Sequence, residues 1–143
     1  MLIKMDTANA NAGGGELKPT TLWEHPKPIT SGETFNAQSA TLSDDIDNYD
    51  FIGIKYAFDS SHLTDTNCVG TVLMSVTDFK KSIDSSSSNK IQASISCGAT
   101  NNYSRIVYYT DSTHIYFGSC KVITTGSNNN TCSIPLEIIG FKY

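Results

Sequence analysis

The sequence predicts an all-β fold, an antiparallel β-sandwich of jelly-roll-like type with a flexible N-terminal arm. Short runs with period-two alternation recur along the chain, turn-forming clusters separate them, and no segment sustains a helical period. Charged residues make up only 17% of the chain because Ser, Thr and Asn are abundant, and these residues suit outer strand faces and turns. At 143 residues, the chain fits one domain with its own core.

Two segments of different character divide the chain. Residues 1–21 are predicted to be an extended docking arm or linker, and residues 22–143 the sandwich domain. The arm contains three consecutive glycines at 13–15 and no large side chain nearby. Such a stretch has a high ordering entropy and cannot form a core alone.

The tip of this arm is apolar, because it carries Leu2, Ile3 and Met5. An apolar tip on a flexible tether is typical of a docking segment, so these three are candidate partner-docking residues. An ordinary frayed terminus is the alternative interpretation.

The predicted strands follow one another at short spacing. The domain begins with an extended segment at 22–29, where Pro26 and Pro28 each disfavour helix in the preceding residue. Strands are predicted at 34–42, 49–58, 68–76, 91–97, 103–110, 113–118, 120–124 and 133–143. A serine-rich loop at 82–89 is predicted to be mobile.

Composition disfavours two classes of partner. The net charge is −4 and the basic residues are scattered, whereas a nucleic-acid-binding protein usually carries a basic stripe. No apolar run approaches the ~20 residues of a membrane helix, and the first residues are too short and polar for a signal peptide. We therefore expect no nucleic-acid partner and no membrane insertion, and synthesis in a cytosol.

The cysteines are Cys68, Cys97, Cys120 and Cys132. They form no Cys-x-x-Cys pair, which disfavours a zinc site. All four lie in or beside predicted strands, so buried free thiols are the favoured interpretation. Two disulfides are the alternative, which would require an oxidising compartment.

Motifs for catalysis or cofactor binding are not recognisable. His25, His62 and His114 lack the i, i+4 partner of a helical metal site and are expected at or near the surface. The chain has neither a Gly-x-Ser-x-Gly elbow nor a phosphate-binding glycine loop. We therefore predict a non-enzymatic protein with no catalytic residue, no metal and no cofactor.

One carboxylate cluster occurs, and its members are Asp44, Asp45, Asp47 and Asp50. Their spacing matches no EF-hand loop, and Asp is a common turn former, so a turn is favoured over a calcium site. A glycosidase acid/base pair is disfavoured, because no second carboxylate lies in a cleft-forming motif.

Aromatic residues are the remaining candidates for binding. Tyr103, Tyr108 and Tyr109 are candidate glycan-stacking residues, with Tyr116 and Trp23 as neighbours in a possible platform. Alternating tyrosines on a sheet more often form cross-strand packing pairs, which is the competing interpretation.

The two ends of the domain carry motifs that resemble a small β domain of bacteriophage virion proteins. The opening motifs are Leu22-Trp23-Glu24-x-Pro26-x-Pro28, Phe35-x-Ala37-Gln38-x-x-x-Leu42 and Tyr49-Asp50. The closing motif is Asn130-Thr131-Cys132-Ser133-Ile134-Pro135-Leu136-Glu137-Ile138-Ile139-Gly140-Phe141-Lys142. Such domains occur in tail-fibre, baseplate and head-fibre or capsid-decoration proteins, and the resemblance covers residues 22–143.

The resemblance implies a non-enzymatic structural protein of the virion, made in the host cytoplasm. Its arm would dock on a capsid, portal or tail component, and its sandwich would be displayed at the particle surface for host attachment. A homo-oligomer is expected, and a trimer on the resemblance alone. The alternative is a carbohydrate-binding adhesin module that contacts host cell-surface glycans.

Overall fold

A computed structural model describes residues 16–26, 30–65, 68–82, 93–98 and 100–143. Within these ranges, the chain forms eight strands and two short helical turns. The strands are β1 (Lys18–Glu24), β2 (Gln38–Thr41), β3 (Phe51–Asp59), β4 (Val69–Ser75), β5 (Ala93–Gly98), β6 (Asn102–Asp111), β7 (His114–Val122) and β8 (Cys132–Lys142). A 3-10 turn spans Ile46–Asn48, and a single helical turn, α1, spans Val76–Phe79.

The strands form two four-stranded antiparallel sheets, which confirms the predicted all-β sandwich. The first sheet has the order β1-β8-β3-β4 and the second has the order β2-β7-β6-β5. The outer pairings are nested as in a jelly roll, since the first strand pairs with the eighth and the second with the seventh. The remaining neighbours are local: β3 pairs with β4, and β5, β6 and β7 form a meander.

Alternating side chains from the two sheets meet in one core. Ile52 and Ile54 of β3 are 1% and 3% exposed, as the alternation predicts. The second sheet contributes Ile95, Val107, Ile115 and Phe117, none of which is exposed. The sandwich is therefore held by one continuous apolar layer.

The first strand begins earlier in the chain than the sequence indicates. Residues 18–21 belong to β1, where Lys18 pairs with Lys142 and Pro19 with Phe141, so the domain boundary moves from residue 22 to residue 18. These residues are exposed and lack alternation because backbone pairing, not burial, holds them. Residues 1–15 of the predicted arm, with Leu2, Ile3 and Met5, lie outside the described residues, as does the serine loop from residue 83.

The last strand, β8, lies inside the first sheet between β1 and β3. Its fourth residue, Pro135, faces Tyr56 next to a register shift between Lys55 and Tyr56. A bulge near a strand start is a position where the missing proline N–H is tolerated in a central strand. The predicted strands at 113–118 and 120–124 are one continuous strand, β7.

Near its other end, β8 makes room for an aromatic ring. A Cβ atom on Gly140 would lie 2.6 Å from Cδ1 of Tyr49, so the ring requires glycine there. The hydroxyl of Tyr49 donates to Oδ2 of Asp44 at 2.8 Å. The contact therefore joins the turn before β3 to the centre of the first sheet.

We predict that Gly140→Ala lowers the free energy of unfolding by about 1–3 kcal/mol, because the new methyl group displaces the Tyr49 ring. Urea denaturation of the single variant and of a Tyr49→Ala background measures this cost. In the Tyr49→Ala background, Gly140→Ala should be nearly neutral. An equal cost in both backgrounds would show that the ring contact is not the cause.

Candidate functional site

A polar cluster lies between the two sheets, and we call it the Arg105 cluster: Arg105, Ser133, Cys97, Cys120 and Cys132. Arg105 and Ser133 have no exposed surface. Arg105 lies on β6 two residues before buried Val107, so strand alternation directs its side chain into the sandwich. A buried guanidinium is the least expected feature of this composition, since Arg is rarely fully buried unless paired.

The guanidinium donates its hydrogen bonds to backbone carbonyls and not to a carboxylate. Nε of Arg105 donates to the carbonyl of Ser133 at 2.9 Å, and Nη2 donates to the carbonyl of Cys132 at 3.1 Å. Nη1 donates to the carbonyl of Gly118 at 2.7 Å. The guanidinium carbon also lies 5.1 Å from the centre of the Phe35 ring. The side chain thus links β7 of its own sheet to β8 of the opposite sheet.

Burial lowers the pKa of Arg105 to about 10, because the charged form loses its hydration. The guanidinium stays charged at neutral pH. The carbonyl dipoles and the ring face therefore provide the stabilisation that water would otherwise give.

The backbone at Ser133 adopts a left-handed conformation, with φ of 47°. This is an uncommon conformation for a residue other than glycine. It allows consecutive carbonyls of Cys132 and Ser133 to face the same guanidinium. The Ser133 hydroxyl also lies 3.1 Å from Sγ of Cys97.

The thiols of the cluster are free, as is Cys68, but only Cys120 and Cys132 are buried as predicted, whereas Cys68 and Cys97 are half-buried. Burial raises the pKa of Cys120 and of Cys132 above that of an ordinary thiol. Both therefore remain protonated near neutral pH, and a protonated buried thiol is a poor nucleophile. Cys97 lies on β5 and Cys120 on β7, with β6 between them, which is too far apart for a disulfide.

An aromatic group adjoins the Arg105 cluster, and it corrects one expectation. His25 is 3% exposed, not at the surface, and its ring lies 5.4 Å from that of Phe35. Its Nδ1 lies 2.9 Å from the Pro135 carbonyl and its Nε2 lies 3.2 Å from Oε1 of Glu33. The two ring nitrogens thus face the backbone of β8 on one side and the Glu33 side chain on the other. His25 therefore fixes the segment after β1 onto β8.

A surface groove of about 410 Å³ lies where the two edge strands β4 and β5 approach each other. Tyr56, Phe58 and His62 contribute rings to its lining. The Tyr56 hydroxyl donates to the backbone carbonyl of Ser96 at 3.0 Å, which joins the two sheets on this open side. Burial is the main reason that the pKa of Tyr56 is raised, so the hydroxyl keeps its proton for this bond.

The three predicted glycan-stacking tyrosines do not share a face. Tyr103 lies edge-on to Phe58 at 6.0 Å, and Tyr109 lies edge-on to Phe79 at 6.5 Å, so both face the interior. Tyr108 lies on the other face of β6, where its ring is 4.9 Å from that of Tyr116. The sequence already contains this signal, because consecutive residues of a strand point to opposite faces.

The acidic cluster forms a turn. Asp44 accepts hydrogen bonds from the Tyr49 hydroxyl and the Asp45 amide, which are the main reasons that its pKa is lowered. Asp45 caps the 3-10 turn, and Asp47 pairs with Lys80 at 2.6 Å. Within the described ranges, no group of three or more His, Cys, Asp or Glu side chains is placed to hold a metal ion.

These features define a small β-sandwich in which buried Arg105 and His25 bind backbone carbonyls of the same chain. No family model matches the chain, and no curated protein matches it either. In the part of the chain that the structure describes, no helix has the length and apolarity needed to cross a bilayer.

We predict that Arg105→Met lowers the free energy of unfolding by about 3 kcal/mol or more, because three buried carbonyls lose a charged donor. Arg105→Lys is the matched comparison, since it retains the charge but not the planar fork of donors, and it should also destabilise. Urea denaturation followed by tryptophan fluorescence measures both. A Met variant as stable as the native chain would mean that the guanidinium contributes no net stability.

Proposed function

We propose that the chain is a non-enzymatic structural protein of a bacteriophage virion. Its N-terminal residues dock on a capsid, portal or tail component, and its sandwich is displayed at the particle surface. The observation that carries the proposal is an apolar surface beside the start of β1, the strand that follows the N-terminal residues.

This surface is the outer face of the first sheet at one end, and we call it the outer patch: Pro19, Phe51, Leu73, Ile139 and Phe141. Cross-strand pairing aligns Pro19, Phe141 and Phe51 in one row, and Ile139, Gly53 and Leu73 in the next. Leu73 is 47% exposed. Contiguous apolar surface of this kind is typical of protein contact sites.

The position of β1 connects the arm to the outer patch. Because Pro19 lies opposite Phe141, residues 1–15 join the sandwich beside the patch. The arm and the patch can therefore contact the same partner surface. The buried polar groups described above are engaged in internal contacts, which agrees with a structural role.

The energetics favour attachment by several arms together. Burial of Leu2, Ile3 and Met5 would contribute roughly 1.5–3 kcal/mol for each side chain. Ordering the glycine-containing segment offsets much of this gain. A single arm should bind weakly, and a homo-oligomer should gain affinity through multivalency.

We predict that a variant lacking residues 1–15 folds normally but fails to incorporate into particles. A truncation at Thr20 is unsuitable, because it removes Lys18 and Pro19 from β1. The matched variant is the full chain with Leu2, Ile3 and Met5 replaced by Ser, which should show the same defect. Incorporation is measured by immunoblotting of purified particles, and normal incorporation of both variants would refute the arm's role.

A second candidate function is a glycan-binding adhesin. The stacked pair Tyr108 and Tyr116 favours it, since this pair lies on the outer face of the second sheet. Ser39 lies opposite Tyr116 on β2, so a hydroxyl flanks the rings. Ring faces pack against the C–H surface of a sugar, and flanking hydroxyls can bond its hydroxyl groups.

If this surface binds glycans, Tyr116→Ala should reduce binding to glycan arrays by about tenfold, which corresponds to about 1.4 kcal/mol. Tyr143→Ala is the matched control, because Tyr143 is 59% exposed but lies near Phe51 on the other sheet. Circular dichroism verifies that both variants are folded. No binding by the native chain, or equal binding by Tyr116→Ala, would exclude the adhesin proposal for this surface.

A further inference from the structure

We propose that two copies of this chain associate by antiparallel pairing of their β4 strands, which joins the two first sheets into one eight-stranded sheet. This inference goes beyond the virion proposal and does not depend on it. It rests on the hydrogen-bonding direction, the composition and the symmetry of β4.

Among the described strands, β4 lies at the end of its sheet and pairs with β3 alone. Two bonds next to its ends set the hydrogen-bonding phase: the amide of Phe58 donates to the Cys68 carbonyl at 2.7 Å, and the amide of Val76 donates to the Asp50 carbonyl at 2.9 Å. Hydrogen-bonded pairs recur at every second residue of an antiparallel ladder. The even-numbered residues of β4 therefore bond to β3.

The odd-numbered residues direct their backbone groups away from β3. These residues are Val69, Thr71, Leu73 and Ser75. In this phase, the amides of Val69, Thr71 and Leu73 point away from β3 and donate no hydrogen bond to it. They form a row of donors and acceptors that can pair with another strand.

Composition leaves this edge unprotected. The seven residues of β4 include no charge and no proline. By contrast, the edge strand β1 carries Lys18, Pro19 and Glu24, and the edge strand β2 has only four residues. Charges, prolines and short length are the usual protections against edge pairing, and β4 has none of them.

The side chains of β4 are complementary to those of a second, antiparallel β4 strand. In an antiparallel pair centred on Val72, this residue faces Val72 of the second copy, Thr71 faces Leu73, and Gly70 faces Met74. Gly70 has no side chain, so the larger Met74 meets no Cβ there. A two-fold axis makes every contact occur twice, as in most homodimers.

Charges beyond the strand ends also favour a second copy as the occupant. Asp65 lies in the segment before β4, whereas Lys80 and Lys81 follow the strand, where Lys80 pairs with Asp47 and Lys81 with Asp78. Antiparallel pairing brings the segment with Asp65 of one copy toward these two lysines of the other. The Lys80 and Lys81 side chains are 37% and 56% exposed, so they remain accessible to this second partner.

The test is sedimentation velocity of the full chain over a range of micromolar concentrations. The native chain should show a concentration-dependent dimer. Leu73→Lys places two like charges diagonally opposite each other across the two-fold axis and should weaken dimerisation by about tenfold or more. Ile123→Lys is the matched control, because Ile123 is 58% exposed but follows β7, away from β4, and it should leave the dimer unchanged.

Hydrogen exchange locates the interface independently of any variant. The amides of Val69, Thr71 and Leu73 should exchange more slowly at high concentration than at low concentration. A native chain that stays monomeric, a trimer, or a dimer that Leu73→Lys leaves intact would overturn the proposal. So would a dimer in which these amides gain no protection.

Discussion

The buried guanidinium of Arg105 is the constraint on which the architecture depends. A charge without a carboxylate partner among the described residues is stable in the interior only if fixed dipoles replace water. The carbonyls of Gly118, Cys132 and Ser133 provide them, and these belong to both sheets. The left-handed backbone at Ser133 is part of the same arrangement, since its own carbonyl is one of the acceptors. The sheets are thus joined by polar contacts at one end of an otherwise apolar core.

These polar contacts between the two sheets depend on the last two strands of the chain. The acceptors lie on β7 and β8, and β8 then occupies the middle of the first sheet. Without β8, β1 would have no partner in the described sheet, and β3 would keep only β4. Pairing between distant strands is slow, because the loop-closure entropy is lost before the contacts form. The hairpin of β3 with β4 and the meander of β5 to β7 are the parts that can form locally.

Alternation in the sequence predicts the two sheets and the core face of β3, because burial on one side imposes a period of two. It misses residues 18–21 of β1, which are held by backbone pairing and leave no hydrophobic pattern. It also misses the Arg105 cluster, although Arg105 and Val107 have the same parity on β6, because a charge is expected outside. The sequence pattern also fails to predict the burial of His25, because a polar ring is likewise expected outside. The separation of Tyr108 from Tyr109 could have been predicted, since neighbours in a strand cannot share a face.

Two contacts at opposite ends of β8 have a consequence for the fidelity of folding. Gly140 fits beneath Tyr49, and the Ser133 carbonyl meets Arg105, only when β8 is aligned as observed. A slip by two residues would preserve the inside and outside faces, so hydrophobic burial alone could not reject it. It would nevertheless place Ile138 or Lys142 beneath the ring and remove the carbonyl from the guanidinium. Two separate contacts therefore disfavour a misaligned β8: the steric fit of Gly140 beneath Tyr49, and the electrostatic contact of the Ser133 carbonyl with Arg105.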